Sequence, residues 1–457
     1  MLFKKKEEVS RTFIFEEMAP TKAVLALGIP TVVNQLINVI YNLADTFFVG
    51  RLDNPSMVAA LSLSAPVMIT LSGFANLFVV GGCALISKAL GQKDMKKAED
   101  IATLCPIMAL CIGFLVSLFS GLFLDKLAVL AGATDTCLEY TKEYLKWVFC
   151  ISAIPNIVGV TLGGGLRGRG YSKYEMIGIT SGNILNIILD PIFVFGLKMG
   201  VKGAAVATFI SNTFACVLFL IFAVYFQKKE HIYTVKGFKF DLKLAKEVVF
   251  TGFPAAFHLF LGSIANVCFM NMVKVYSDAC IAGVGIVRKL EHVSGQIVIG
   301  LNQGIIPLVS YNYGNKNYDR MTKGRKKALF ITTCFGILAV LILLPLSTQF
   351  VKLFINDAET INWGTQFLRV YAFLPLTMSY NNSCRTTFQA LGLKSKSMII
   401  SVCRNFILYM PVMYLLNYVG GISGLIFTQS VCDILVNALA LFMMTKAMKK
   451  IKAEICA

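Results

Sequence analysis

The 457-residue chain is 56% hydrophobic and 15% charged, against about 45–50% and about 25% in soluble domains. That excludes disordered, collagen-like and disulfide-scaffold classes and argues against a soluble enzyme. Its 43 Lys and Arg against 25 Asp and Glu leave a formal charge of +18, an excess that in a membrane chain belongs to cytoplasmic loops.

A spanning helix needs about 20 mostly apolar residues. Twelve such runs are predicted, at 22–49, 57–86, 98–124, 144–164, 174–196, 202–226, 246–275, 279–310, 326–348, 365–391, 397–417 and 423–446. They read as helices, because open strands leave backbone groups unsatisfied in lipid and barrel strands would be short and alternating. The expected architecture is an all-α integral membrane protein with twelve transmembrane helices in two pseudo-symmetric six-helix lobes. Its parts are a tail at 1–21, lobes at 22–227 and 246–447, a basic inter-lobe loop at 228–245 and a tail at 448–457.

With the N-terminus placed in the cytoplasm, the basic clusters fall on one side: Lys4, Lys5, Lys6, Arg11 and Lys22; Lys88 to Lys97; Arg167 to Lys173; Lys228 to Lys246; Lys316 to Lys327; Lys394 and Lys396; and Lys446 to Lys452. The other side holds scattered cations such as Arg51, Lys126 and Lys352. This bias predicts both termini inside and removes the need for a nucleic-acid partner. No cleavable signal peptide is expected, since the first apolar run is too long for one. The 13 cysteines lie mostly in apolar runs without a C-x-x-C, as small buried hydrophobes do.

The halves repeat. Gly28-Ile29-Pro30 pairs with Gly252-Phe253-Pro254, Asn42 with Asn266, Ser87 and Gly91 with Ser310 and Gly314, and Pro155 with Pro375. Asn183 pairs with Asn405, Pro191 with Pro411, and Gly200 and Thr208 with Gly420 and Thr428. Transporters commonly place their site between two such halves, whereas a channel is more often built from identical subunits. Asp45 and Asp190 align with Phe269 and Met410, so both acids belong to the first half alone.

Asn34, Asn38, Tyr41 and Asp45 form one stripe on the first helix, Asn183, Asn186 and Asp190 another on the fifth, and Thr208 and Asn212 a third on the sixth. An acid within a span is a functional candidate by default. Two acids with amide and hydroxyl oxygens can hold an exchangeable proton or coordinate a hard cation such as Na⁺. For the asparagines, interhelical packing is an equal alternative. Pro30 frees a backbone carbonyl and bends its helix, either as a static kink or as a hinge.

Other features carry less. Gly163 to Gly168 match G-x-G-x-x-G but follow no strand, so a nucleotide loop is not expected. His258 reads as a packing hydrogen bond rather than a proton relay. Gln429, Asp433 and Asn437 form a stripe on the last helix with Arg404 on the helix before, and an Arg404–Asp433 ion pair is expected. Arg288, Lys289 and Glu291 can partly neutralise one another. No H-E-x-x-H, D-x-x-x-D pair or P-loop occurs, so no enzymatic activity, cofactor or resident metal beyond Na⁺ is expected.

The run Tyr41-Asn42-Leu43-Ala44-Asp45-Thr46-Phe47-Phe48-Val49-Gly50, with Asn186 to Pro191 and Gly200-Val201-Lys202-Gly203-Ala204-Ala205 after it, resembles the multidrug and toxic compound extrusion (MATE) family. The likeness covers nearly the whole chain and is closest to the DinF-like branch and its MepA-type exporters. The resemblance implies two six-helix lobes in a V around a central cavity, with antiport of H⁺ or Na⁺ against amphipathic, often cationic, drugs. It places the cation site on Asp45, Asn186, Asp190 and Thr208 and a bending proline at Pro30. Acids that the NorM-like branch carries on helices seven and ten would fall near Gly262 and Ser379, where this chain has none. The expectation is thus a monomeric multidrug antiporter of a bacterial plasma membrane, with Asn34, Asn38, Tyr41, Asn183 and Asn212 as cavity residues. A lipid-linked saccharide flippase of the same superfamily and a non-transporter such as a channel are the rivals.

Overall fold

The structure is a computed structural model that describes residues 12–52, 54–234 and 237–456. Lys4, Lys5, Lys6, Arg11 and Lys236 of the expected cytoplasmic clusters lie outside the described residues. All regular structure among the described residues is helical.

Twelve helical positions follow one another along the chain. They are α1 (Pro20–Gly50), α2 (Pro55–Gly91), α3 (Met95–Leu122), α4 (Leu138–Ile151 and Ala153–Gly168), α5 (Ser172–Gly196) and α6 (Val201–Glu230) in the first half. The second half has α7 (Leu242–Val273), α8 (Ala279–Gly314), α9 (Tyr318–Leu343), α10 (Ala358–Tyr371 and Leu374–Ala390), α11 (Lys394–Leu425) and α12 (Thr428–Ile455). Ten are long and apolar enough by themselves to cross a bilayer, and α4 does so as a pair bent by 44° at Ser152. The twelfth, α10, differs from the apolar run expected at 365–391. It breaks at Ala372, and its second segment buries Asn381, Asn382, Arg385, Thr386 and Gln389. Polar side chains turned into protein rather than lipid explain why hydropathy marks this helix weakly. Large apolar side chains such as Phe114, Leu122, Leu341 and Phe442 are more than half exposed, as lipid-facing positions are.

The chain divides into two compact units. One takes Val33–Ala256 with the described part of residues 1–18, and the other takes Ala19–Val32 with Phe257–Ala457. Two helices therefore contribute to both, and each changes unit two residues after a proline, Pro30 in α1 and Pro254 in α7. Within the first unit, Gly252 of α7 lies against the backbone of Leu77, and Gly81 of α2 against Val248 and Gly252. Within the second, Gly304 of α8 lies against Leu27 and Gly28 of α1. The paired glycines thus serve as the same helix-crossing device twice, because only a missing Cβ permits such an approach.

The repeat extends to backbone detail. Ser87 Oγ donates to the carbonyl of Gly168 at 2.5 Å, and Ser310 Oγ to that of Ala390 at 2.9 Å. Asp94 caps α3 by accepting from the Lys97 amide at 3.0 Å, and Asn317 caps α9 by accepting from Arg320 at the same distance. Asp357 caps α10, and the Thr360 hydroxyl and amide that donate to it hold its carboxyl below the usual range. Gly200 has φ 59° and ψ −138°, and its structural counterpart is Gly421, with φ 55° and ψ −138°. The alignment with Gly420 expected from sequence is therefore off by one. This conformation is open to glycine almost alone, so Gly421→Ala should destabilise by about 1–3 kcal/mol. Chemical denaturation of the two purified proteins side by side checks this.

Each unit carries an arginine–acid pair whose acid is buried. In the first, Arg167 Nη1 donates to Glu175 Oε1 at 2.9 Å, both side chains being under 5% exposed. The glycine-rich stretch before it is helix, not loop. Gly163 faces Phe219, Gly164 faces Val79 and Gly168 faces Cys83, so these glycines pack helices together.

Candidate cation site in the first unit

Asp45 lies on α1, Asn186 and Asp190 on α5 and Thr208 near the start of α6, and all four are under 5% exposed. The two carboxyls face each other within hydrogen-bonding reach. The Asn186 carboxamide bridges the set in either of two orientations. In one, Nδ2 donates to Asp190 Oδ1 at 3.4 Å and Thr208 Oγ1 at 3.3 Å. Turned over, it donates to Asp45 Oδ1 at 3.3 Å and accepts from the Thr208 amide at 3.2 Å. Thr208 itself donates back to the carbonyl of Ala204 at 3.0 Å, leaving its oxygen lone pairs toward the group.

Local sequence sets this geometry. Asn186 and Asp190 are one turn apart on α5 and share a face. Pro191 follows and has no N–H, so the ladder cannot continue regularly, and residues Ile192–Gly196 widen into a π-helical turn. Such turns cluster at functional positions. Gly200 then starts α6 in a conformation no side chain would tolerate, which brings Thr208 back beside α5.

No ion pair among the described residues reaches Asp45 or Asp190. Asp190 Oδ2 has no hydrogen-bond donor. Two facing carboxylates repel unless something positive lies between them. One shared proton supplies that, converting repulsion into a hydrogen bond, and so does one small cation held by carboxylate, amide and hydroxyl oxygens. The arrangement can therefore bind and release a single positive charge. Tyr41, half-buried on α1, lies within electrostatic range of both acids, as does buried Tyr144 of α4. Tyr144 carries no sequence signal beyond a hydroxyl at the edge of an apolar run.

The other candidates separate. Asn34 is buried, but its Oδ1 has no partner, and Asn183 Nδ2 has none either. Asn38 is exposed and receives the Asn42 side chain at 3.2 Å. Asn212 Nδ2 donates to Ser152 Oγ at 2.8 Å, pinning the bend of α4. Pro30 stands inside α1, where the next residue, Thr31, bonds back to the carbonyls of Leu27 and Gly28.

Among the described residues the second unit has no such acid pair. Asp433, fully buried, accepts from Arg404 Nε at 2.7 Å and Nη2 at 3.2 Å, from Asn381 at 3.3 Å and from Gln429 at 3.2 Å. Asn437 donates to the carbonyl of Thr377 at 2.7 Å. His258 Nδ1 meets Asn405 Nδ2 at 2.9 Å, the packing contact expected of it. Ser379, where another branch carries an acid, bonds the carbonyls of Pro375 and Thr332. Arg288 packs over Phe269 at 4.7 Å and Tyr371 at 5.4 Å.

A duplicated helical membrane fold is the architecture of a transporter. The MatE family model matches residues 30–192 and 254–415, two blocks that each begin at a paired proline. The chain belongs to the MatE family, a family of multidrug efflux transporters. It is 30% identical to the multidrug export protein MepA of Staphylococcus haemolyticus, with 94% of each chain covered, and 30% identical to that of Staphylococcus aureus strain MSSA476, with 92% of each covered. Among solved structures it resembles a MOP superfamily transporter from Pyrococcus furiosus, at TM-score 0.90 and 22% identity over 97% of this chain and 98% of that one. It also resembles an outward-facing multidrug resistance MATE family transporter, at TM-score 0.89 and 23% identity over 95% and 97%. The twelve-helix fold and the multi-pass membrane assignment expected from sequence agree with these relatives.

Proposed function

We propose that this protein is a secondary multidrug efflux antiporter that exchanges H⁺ or Na⁺ for amphipathic, often cationic, drugs. It works as a monomer in a bacterial plasma membrane with both termini in the cytoplasm. The observation that carries the reading is the buried Asp45–Asp190 pair, which Asn186 and Thr208 frame and which no basic side chain among the described residues neutralises. The relatives named for multidrug export support the substrate class.

Coupling follows from differential affinity. A cation that binds the acid pair more tightly in one conformation shifts the population toward it, by no more than that difference. With Pro30 as the hinge of α1, cation entry at Asp45 and bending of the same helix are linked mechanically. The drug occupies the pathway when the acids are empty and is released when they are filled.

Counterflow in proteoliposomes tests this. A lipophilic fluorescent cation is loaded, and a pH gradient and then a Na⁺ gradient is imposed. One of the two should drive efflux and so name the coupling ion. If neither does so in protein shown to be folded, the antiport reading is wrong. In the same assay Asn186→Ala should slow gradient-driven efflux by about tenfold, since it removes the amide that bridges both acids to Thr208.

A further inference from the structure

We propose that the second unit contains a buried site for a single monovalent anionic group, held by Arg385 and Gln389 on α10. Arg385 is 5% exposed, and Nη2 makes its one hydrogen bond among the described residues, to Asn382 Oδ1 at 2.8 Å. No ion pair among the described residues includes it. Another cation, Arg404, lies within electrostatic range of it. Asp433 is engaged by Arg404 through two nitrogens. His258 lies within range of both guanidiniums and is occupied by Asn405.

Gln389 stands one turn further along the same helix, 2% exposed, with its Nε2 donor unpartnered. Residues four apart share a helix face, so a buried guanidinium bonded to one neutral acceptor and a buried amide donor without an acceptor line one face of α10. A guanidinium cannot lose its proton to escape burial, and a buried cation without a counter-charge is costly. Arg167 with Glu175 and Arg404 with Asp433 follow that rule, and buried Arg169 donates to the carbonyl of Ile232. Arg385 has one neutral acceptor and no acid among the described residues, so the missing charge comes from a ligand. One cation calls for one negative charge, and a planar fork accepts either a halide or a carboxylate. The chemistry is a monovalent anion, whether free in solution or carried as the carboxylate of a zwitterionic substrate. The two units are thereby of opposite polarity. Among the described residues the first buries the Asp45–Asp190 pair without a base, and the second buries Arg385 without an acid.

The test uses full-length purified protein in detergent and equilibrium binding of radioactive chloride at constant ionic strength, with gluconate as the replacing anion. Saturable binding near one chloride per chain is expected, with displacement by acetate. Arg385→Gln should weaken it at least about tenfold and Gln389→Leu a few-fold, while Arg385→Lys retains part. A thermal midpoint no lower in Arg385→Gln than in the parent shows that the variant is folded. To identify the source, a quinolone carboxylic acid and its methyl ester are each added. Displacement by the acid alone assigns the site to the substrate's carboxylate, and displacement by neither leaves it to the free anion. Chloride binding unchanged in Arg385→Gln overturns the proposal. So does the absence of saturable binding of chloride, acetate and the carboxylic acid alike.

Discussion

Asp190→Asn should abolish gradient-driven drug efflux, reducing it by at least about a hundredfold, while the protein remains folded and membrane-inserted. The amide keeps the shape of the carboxyl but carries no charge to attract a cation and no proton to exchange. Asp45→Asn should do the same, because the pair acts as one unit and its losses should not add. The stability readout separates this from structural damage. An acid near the middle of a spanning helix costs about 2.5–3.5 kcal/mol on insertion scales, and the two acids here also repel each other. Replacing one by its neutral isostere should leave the unfolding midpoint unchanged or raised. An inactive variant that is also more stable is the mark of a residue kept for function at a cost to the fold. Dye efflux from cells and unfolding of the purified variants supply the two measurements.

Asp433→Ala should produce the opposite pattern. Asp433 is fully buried and accepts from Arg404, Asn381 and Gln429. Its removal strands a largely buried guanidinium, and breaking a buried ion pair from one side costs about 3–5 kcal/mol. The unfolding midpoint should fall sharply, and efflux should fall only in proportion to the folded fraction. The double variant Arg404→Met with Asp433→Leu removes both charges and should recover most of that loss, since a desolvated pair often stabilises no more than packed apolar residues do. A double variant as unstable as Asp433→Ala would show that the surrounding amides, not the ion pair, carry the stability.

Both acid sites were legible in the sequence for the same physical reason. Charge is so unfavourable in an apolar span that Asp45, Asp190 and Asp433 stand out against their neighbours. Helical spacing correctly placed Asn186 with Asp190, and residue type paired Arg404 with Asp433. Spacing reports a face but not the neighbour across it, and there the reading stopped. Asn38 shares the stripe of Asp45 yet lies exposed beside Asn42, and Asn212 shares that of Thr208 yet reaches Ser152. The glycine–proline pairs at Gly28 and Gly252 revealed the repeat, but only packing shows that the start of α1 belongs with the second unit and the start of α7 with the first. Arg385 had no signal of its own. An arginine in a polar helix reads as ordinary until its burial and its missing acid are known.

The polarity of the two units gives their chemistry a simple division. The first holds oxygens that need a cation, and the second holds donors that need an anion. The proposed coupling belongs to the first, where the buried acids Asp45 and Asp190 have no ion-pair partner among the described residues. The most direct measurement is ion movement driven by substrate. In proteoliposomes without an imposed ion gradient, a drug gradient should drive H⁺ or Na⁺ in the opposite direction in the parent protein. It should drive none in Asp45→Asn or Asp190→Asn reconstituted to the same density. Ion movement at the parent rate in the doubly substituted protein would contradict the assignment of coupling to these two acids.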